Sequence, residues 1–255
     1  MRRWEAPRIT LIGPAMAPPV ELHRWLLERR NIAHEYVRRA AGLHAFASRR
    51  HRVPIELPLI LAPAGAVGGL RPSLEWLDAS LSARERLFPG EDGRALADML
   101  CVRLFGPSVK TFYHHMLRAP RALVPAAIAG TPLTDRLFVR LLRPIWIRMM
   151  RLGLGLDGFD AAAAEAEIDS VFTAVEARLT ADRPYLAGTE PGDEDILFAV
   201  LASPVILPAN HPATLPADET LPAPFRALVE RFRARPAGDL ARRVYEQRPP
   251  PRDYG

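Results

Sequence analysis

The sequence predicts an α/β N-terminal half followed by an all-helical C-terminal half, and three observations carry that prediction. Strand-like β-branched and apolar runs occur only in about the first eighty residues. Helical periodicity takes over from Asp92. The breaker Leu87-Phe88-Pro89-Gly90 lies between the two regimes.

The elements follow in order. Arg8-Ile9-Thr10-Leu11-Ile12-Gly13 reads as a strand closed by Gly-Pro, and Val20 to Arg30 as a helix with Val20, Leu22, Trp25 and Leu26 at helical spacing. Ala33 to Val37 reads as a second strand, parallel to the first by a βαβ connection. A basic, helix-tolerant stretch runs to Arg52, Leu57 to Leu61 forms a third strand, Gly65 to Gly69 supplies a hairpin turn, and Pro72 to Ser80 a short helix. Beyond the breaker, helices are expected at Gly93–Leu117, Leu133–Leu152, Ala161–Thr180, Asp193–Leu207, Pro224–Ala234 and Gly238–Gln247. The prolines at 120, 125, 132 and 144 are read as connections or kinks, and Pro249-Pro250-Pro251 as an extended tail. The expected domains are 1–85 and 92–248.

Composition narrows the classes. In 255 residues, 49% are apolar, enough for a sizeable core. Apolar runs stay far below the roughly 20 residues that span a bilayer, so no integral membrane segment is expected. The basic start Met1-Arg2-Arg3 lacks the long apolar stretch of a secretion signal. The single cysteine, Cys101, excludes an internal disulfide and a cysteine-rich metal site, which suits the cytoplasm. The net charge of +5 is carried by arginines scattered along the chain, with Lys110 the one lysine, and no nucleic-acid motif accompanies them. No nucleic-acid partner is expected. Arg140, Arg143, Arg148 and Arg151 fall between Leu141, Leu142, Ile145, Trp146 and Met149, a pattern that suits a dimer- or core-facing helix or a basic face at a membrane.

Three stretches carry a family resemblance. They are Ile9 to Glu28, Leu57-Pro58-Leu59-Ile60 with Ser73-Leu74-Glu75-Trp76-Leu77-Asp78, and Arg183-Pro184-Tyr185-Leu186-Ala187-Gly188 with Gly192-Asp193-Glu194-Asp195-Ile196. The last is the most specific. Together with the element order, these stretches resemble the cytosolic glutathione transferases. The resemblance implies a thioredoxin-like N-terminal domain that binds glutathione as cosubstrate, an all-α C-terminal domain that lines a pocket for a small-molecule electrophile, a homodimer, and no metal. Gly192 stands where the family places a Ser or Thr helix cap, and Asp195 at the third helical position can accept the cap's own N–H. Asp195 is therefore read as structural.

The resemblance also assigns site residues. Pro58 matches the family's cis-proline, which frees the backbone of Leu57 to pair with the peptide; an ordinary edge-strand proline is the other reading. Ser73 matches the serine that receives the γ-glutamyl carboxylate, though it also suits a plain helix cap. Where the family has an acid before this serine, the chain has Pro72, preceded by Arg71, which would attract a carboxylate instead. Arg52, in Arg49-Arg50-His51-Arg52, stands where basic residues hold the glycyl carboxylate, or is simply part of a solvated charge run.

No hydroxyl or thiol occurs in Gly13-Pro14-Ala15-Met16-Ala17-Pro18-Pro19-Val20, where the family activates the thiol. Ala17 occupies the serine position and offers a backbone N–H at a helix start. Tyr113 could take over thiol activation if it faces the cleft, or be an ordinary helix residue. Adjacent His114 and His115 point to different faces and do not form a metal pair, and Cys101 is read as a buried, inert thiol. The expected function is conjugation or binding of glutathione with a hydrophobic electrophile. The alternative is a non-catalytic binding or dimerisation protein on the same fold.

Overall fold

The computed structural model describes residues 9–250. Arg8, the expected first strand residue, and Pro251 of the expected tail lie outside the described residues. The N-terminal half contains β1 (Ile9–Gly13), α1 (Pro18–Arg29), β2 (His34–Arg38), α2 (Ala45–Arg50), β3 (Leu59–Ala62), β4 (Gly65–Gly68) and α3 (Leu70–Ser80). The sheet order is β2-β1-β3-β4. β1 runs parallel to β2, pairing Leu11 with Tyr36, and antiparallel to β3, pairing Leu11 with Ile60. The expected hairpin turn, Gly65 to Gly69, lies one step earlier, at the two residues Pro63 and Ala64, and Gly65–Gly68 is the fourth strand of the sheet. Two-residue loops suffice because antiparallel neighbours need no crossover.

The helical half comprises α4 (Gly90–Met99), α5 (Phe105–Met116), α6 (Pro120–Ile128), α7 (Leu133–Leu141), α8 (Arg143–Gly153), α9 (Ala161–Glu176), α10 (Asp193–Ile206), α11 (Ala223–Arg233) and α12 (Pro236–Glu246). Three features differ from the sequence reading. The helix expected over Gly93–Leu117 is interrupted by one turn of π-helix at Leu100–Leu104. The expected Leu133–Leu152 helix is broken at Leu142, just ahead of Pro144 in the first turn of α8. Between Pro120 and Ile128, taken as a connection, the chain is helical, because Pro120 sits at the helix start where a missing N–H costs nothing.

Helix α10 organises the helical half. Every residue in it is buried, and it packs on α12, α5 and α1. A buried helix start must find partners for its polar groups. The Asp195 carboxylate accepts the N–H groups of Leu186 at 2.7 Å, Gly192 at 3.0 Å and Ala187 at 3.1 Å. The sequence reading expected the Gly192 contact; the other two also tie the Arg183–Gly188 loop to the helix. Arg30 closes the N-terminal half onto this point through an ion pair with Asp193, supported by Arg29 at 3.7 Å.

The end of the helical half reaches back under α1. The Arg248 side chain, 1% exposed, donates to Glu21 Oε1 at 2.8 Å and to Glu28 Oε2 at 2.6 Å, and its guanidinium lies 4.8 Å from the centre of the Trp25 ring. Burial raises the Glu21 carboxyl above the usual range, against the pull of Arg248. Removing one partner of such a cluster leaves a charge buried and uncompensated. Arg248→Ala is expected to destabilise the fold by about 3–5 kcal/mol in urea denaturation, and adding Glu21→Gln and Glu28→Gln is expected to recover part of the loss.

Two core histidines set an acid limit. His23, whose Nδ1 lies 2.7 Å from the Pro19 carbonyl oxygen, and His211 are both lowered by burial from 6.5 to about 4. They stay neutral in the folded chain while the unfolded chain takes up protons. The stability they contribute is therefore complete above pH 6.5 and is lost as the pH falls towards 4. Equilibrium unfolding at several pH values should show His23→Gln losing less stability than wild type over that window, by up to about 1.4 kcal/mol per pH unit for the one proton.

Candidate functional site

A cavity of about 1060 Å³ opens between the sheet and the helical half. From the N-terminal half its wall includes Met16, Ala17, Leu57, Leu70 and Arg71; from the helical half it includes Phe105, Phe112, Tyr113, Ile145 and Met149. The pair α7 and α8 covers one side, held on the N-terminal half by three contacts. Trp146 Nε1 donates to the Ala41 carbonyl at 3.0 Å, Arg39 makes a two-point ion pair with Asp135 at 2.9 and 3.0 Å, and the Ala40 N–H donates to the same carboxylate. Gly42, in the left-handed region at φ 84°, lies against Met149: a Cβ there would come 2.5 Å from its Cε.

The expected site residues are placed unequally. Leu57 lines the cavity, and its bond to Pro58 is cis. Pairing in β3 begins only at Leu59, and Leu57 N–H and C=O make no hydrogen bond to another described residue. Ala17, Arg71 and Tyr113 also line the cavity. Arg52 does not; Arg49 does, one turn earlier on α2. Ser73 lies in the second turn of α3, not at its start, fully buried, with its N–H bonded to Gly69 C=O and its hydroxyl donating to the Gly69 and Leu70 carbonyls at 2.5 and 2.9 Å. Its polar groups are spent inside the helix, and Pro72 has no N–H. The first-turn donors of α3 are thus those of Leu70 and Arg71.

The start of α1 differs from the sequence reading as well. The Ala17 N–H donates to the Pro14 carbonyl at 3.1 Å, Pro18 and Pro19 have none to offer, and Val20 N–H bonds Ala17 C=O at 2.9 Å. No N–H group from Ala17 to Val20 is left for an anion, and no side chain there carries a donor. Tyr113 is different. Its hydroxyl has no protein hydrogen-bond partner among the described residues, and burial pushes it up to about 12. It stays protonated at neutral pH and can donate.

Two polar cavity residues, His44 and Glu56, escaped the sequence reading. His44, at the start of α2, is buried with an unpartnered Nδ1 and is lowered by burial to about 4, so it stays neutral. Glu56 lines the cavity with its carboxylate over the start of α3: a Cβ on Gly69, at φ 99°, would come 2.6 Å from Glu56 Oε2. Cys101, expected as a buried, inert thiol, lies in the π-helical turn and on the cavity wall. No local signal marks these positions, because each depends on contacts between distant elements. His114 lies 2.6 Å from Arg118 through Nε2, and no group of three or more metal-binding side chains occurs among the described residues.

No protein-family profile matches the chain, and no curated protein does. Solved structures do. A glutathione S-transferase of Methylobacterium radiotolerans in complex with glutathione sulfonate superposes with a TM-score of 0.51 at 20% identity, over 96% of each chain. One of Ceriporiopsis subvermispora in complex with glutathione gives 0.54 at 14% identity, over 94% of this chain and 98% of the other. A glutathione transferase of Phanerochaete chrysosporium gives 0.55 at 11% identity, over 94% and 96%. The chain has the glutathione S-transferase fold: a thioredoxin-like half and a helical half.

Burial disfavours the thiolate of the cavity cysteine. Burial raises Cys101 from 9.0 to about 12, overriding the nearby Arg71. Alkylation by iodoacetamide at pH 8 is expected to run at least about 100-fold slower than for an unshifted thiol, because the thiolate fraction falls by that order. Mass spectrometry of the labelled chain measures the rate.

Proposed function

We propose that the chain binds glutathione alongside a hydrophobic electrophile, as a glutathione-transferase-fold protein. One observation carries this reading. A single cavity is walled on one side by the unpaired main chain of Leu57 and the start of α3, and on the other by apolar side chains of the helical half. An extended peptide pairs with free main chain, and an apolar partner fills an apolar wall. The complexes of the Methylobacterium and Ceriporiopsis proteins with glutathione sulfonate and glutathione support it.

In this reading residues 1–85 hold the peptide and 92–248 the electrophile. The Leu57 backbone, preceding Pro58, pairs with the cysteinyl unit. The γ-glutamyl carboxylate meets the first turn of α3 at Leu70 and Arg71, rather than the Ser73 hydroxyl, and Glu56 takes the neighbouring amino group in place of the acid absent before Ser73. Arg49, rather than Arg52, faces the glycyl carboxylate. Tyr113 donates its hydroxyl proton in a hydrogen bond to the thiolate, which forms the new sulfur–carbon bond as the electrophile's leaving group departs. We also assign a homodimer and a cytoplasmic location, the latter supported by the lone, unbridged cysteine.

A second reading is a binding protein without turnover. The lack of a free N–H or hydroxyl from Ala17 to Val20 favours it, since a thiolate there gains nothing from the first turn of the helix. Retention on immobilised glutathione is expected on either reading of the cleft, and failure to be retained would refute both. Turnover of an aromatic halide separates them. If Tyr113 activates the thiol, Tyr113→Phe should lower kcat by about 100-fold while glutathione affinity holds. Undetectable wild-type turnover with intact retention would establish the binding protein instead.

A further inference from the structure

Helices α7 and α8 turn one side inward and leave the other uncovered. Val139, Trp146 and Met150 are buried, and Asp135 is bound to Arg39. Leu133, Leu137 and Leu141 stand at four-residue steps along the outer side of α7, with Leu133 65% and Leu141 75% exposed. Ile145 and Leu152 of α8 are 57% and 58% exposed. The connection between the helices is exposed at every residue from Arg140 to Ile145, and four of those six are apolar or proline. Leucines at this exposure, gathered on one hairpin, mark an interaction surface.

The charge on this face has one sign. Arg140, Arg143 and Arg148 have no carboxylate within ion-pair distance among the described residues, and Arg151 pairs with Asp157 at 2.8 Å. Asp135, the one acid within either helix, is buried. A second copy of the chain seated here about a two-fold axis would set arginine against arginine with no acid to relieve them. An anionic lipid surface complements both the leucines and the arginines.

We infer that the α7–α8 hairpin docks on an anionic bilayer, with Leu141, Leu142 and Ile145 entering the boundary between headgroups and acyl chains while Arg140, Arg143 and Arg148 meet lipid phosphates. The attachment is peripheral, since no helix among the described residues is long and apolar enough to cross a membrane. Ile145, Arg148 and Leu152 belong to the cavity wall as well as to the exposed face. The docked face therefore adjoins the cavity, and an apolar compound dissolved in the bilayer has a short path into it. The inference is independent of whether the cavity binds glutathione.

Co-sedimentation of the full chain with vesicles tests it, comparing phosphatidylcholine alone with an equal mixture of phosphatidylcholine and phosphatidylglycerol. Partitioning onto the mixed vesicles is expected to be at least about tenfold stronger, and to weaken in high salt. Arg140→Gln/Arg143→Gln should remove most of that preference. Leu141→Ser/Leu142→Ser should cut binding to the mixed vesicles at least about fivefold, with the thermal melt unchanged because both side chains are exposed. Failure of the wild type to bind mixed vesicles would overturn the inference, as would binding that neither variant weakens. So would loss of a dimer in Leu141→Ser/Leu142→Ser, which would make this face the chain's own interface.

Discussion

The molecule is built around a helix that must be buried whole. α10 has no exposed residue, yet its first turn carries Asp193, Glu194 and Asp195. Three acids at a buried helix start would be prohibitive without partners, even with the helix dipole in their favour. Each neighbouring element supplies some. The loop before the helix donates two N–H groups to Asp195 and the cap residue a third, while the end of α1 brings Arg29 and Arg30 to Asp193. Glu194, near both other acids, is raised by burial first and by their charge after it. Neutralising this turn ties the end of α1 to the start of α10.

A second tie joins the halves at the opposite end of the chain. Arg248 follows α12 and lies beneath α1 between Glu21 and Glu28. α1 is thus gripped at its C-terminal end by α10 and along its buried face by Arg248. Its N-terminal end, by contrast, opens on the cavity with two prolines and a bonded Ala17 N–H. The packing that holds α1 is thus independent of what lies at its N-terminal end.

Covering the cavity has a comparable logic. The α7–α8 pair turns Trp146 and Asp135 onto the Arg39–Gly42 loop and encloses an apolar space. The same short helices cannot also bury their outer leucines, because nothing else in the described chain reaches that side. Sealing one surface has left another apolar.

Much of the fold was legible in the residues themselves. Most of the strand and helix order and the Asp195 contact with Gly192 follow from short-range patterns: alternation, 3.6-residue periodicity, and cap spacing. The cis bond before Pro58 was expected from the family resemblance rather than from any such pattern. The same locality explains where the reading slipped. Ser73 looked like a helix start because Pro72 precedes it, but Gly69 and Leu70 begin the helix and absorb the Ser73 hydroxyl. The sequence by itself determined the order of most elements and the absence of a hydroxyl between Gly13 and Val20. Tertiary structure alone decided that Arg49 rather than Arg52 reaches the cavity, that Glu56 stands over α3, that the π turn presents Cys101, and that Arg248 lies under α1. Those outcomes depend on which distant elements pack together, and a side chain's neighbours across the fold leave no periodic trace along the chain.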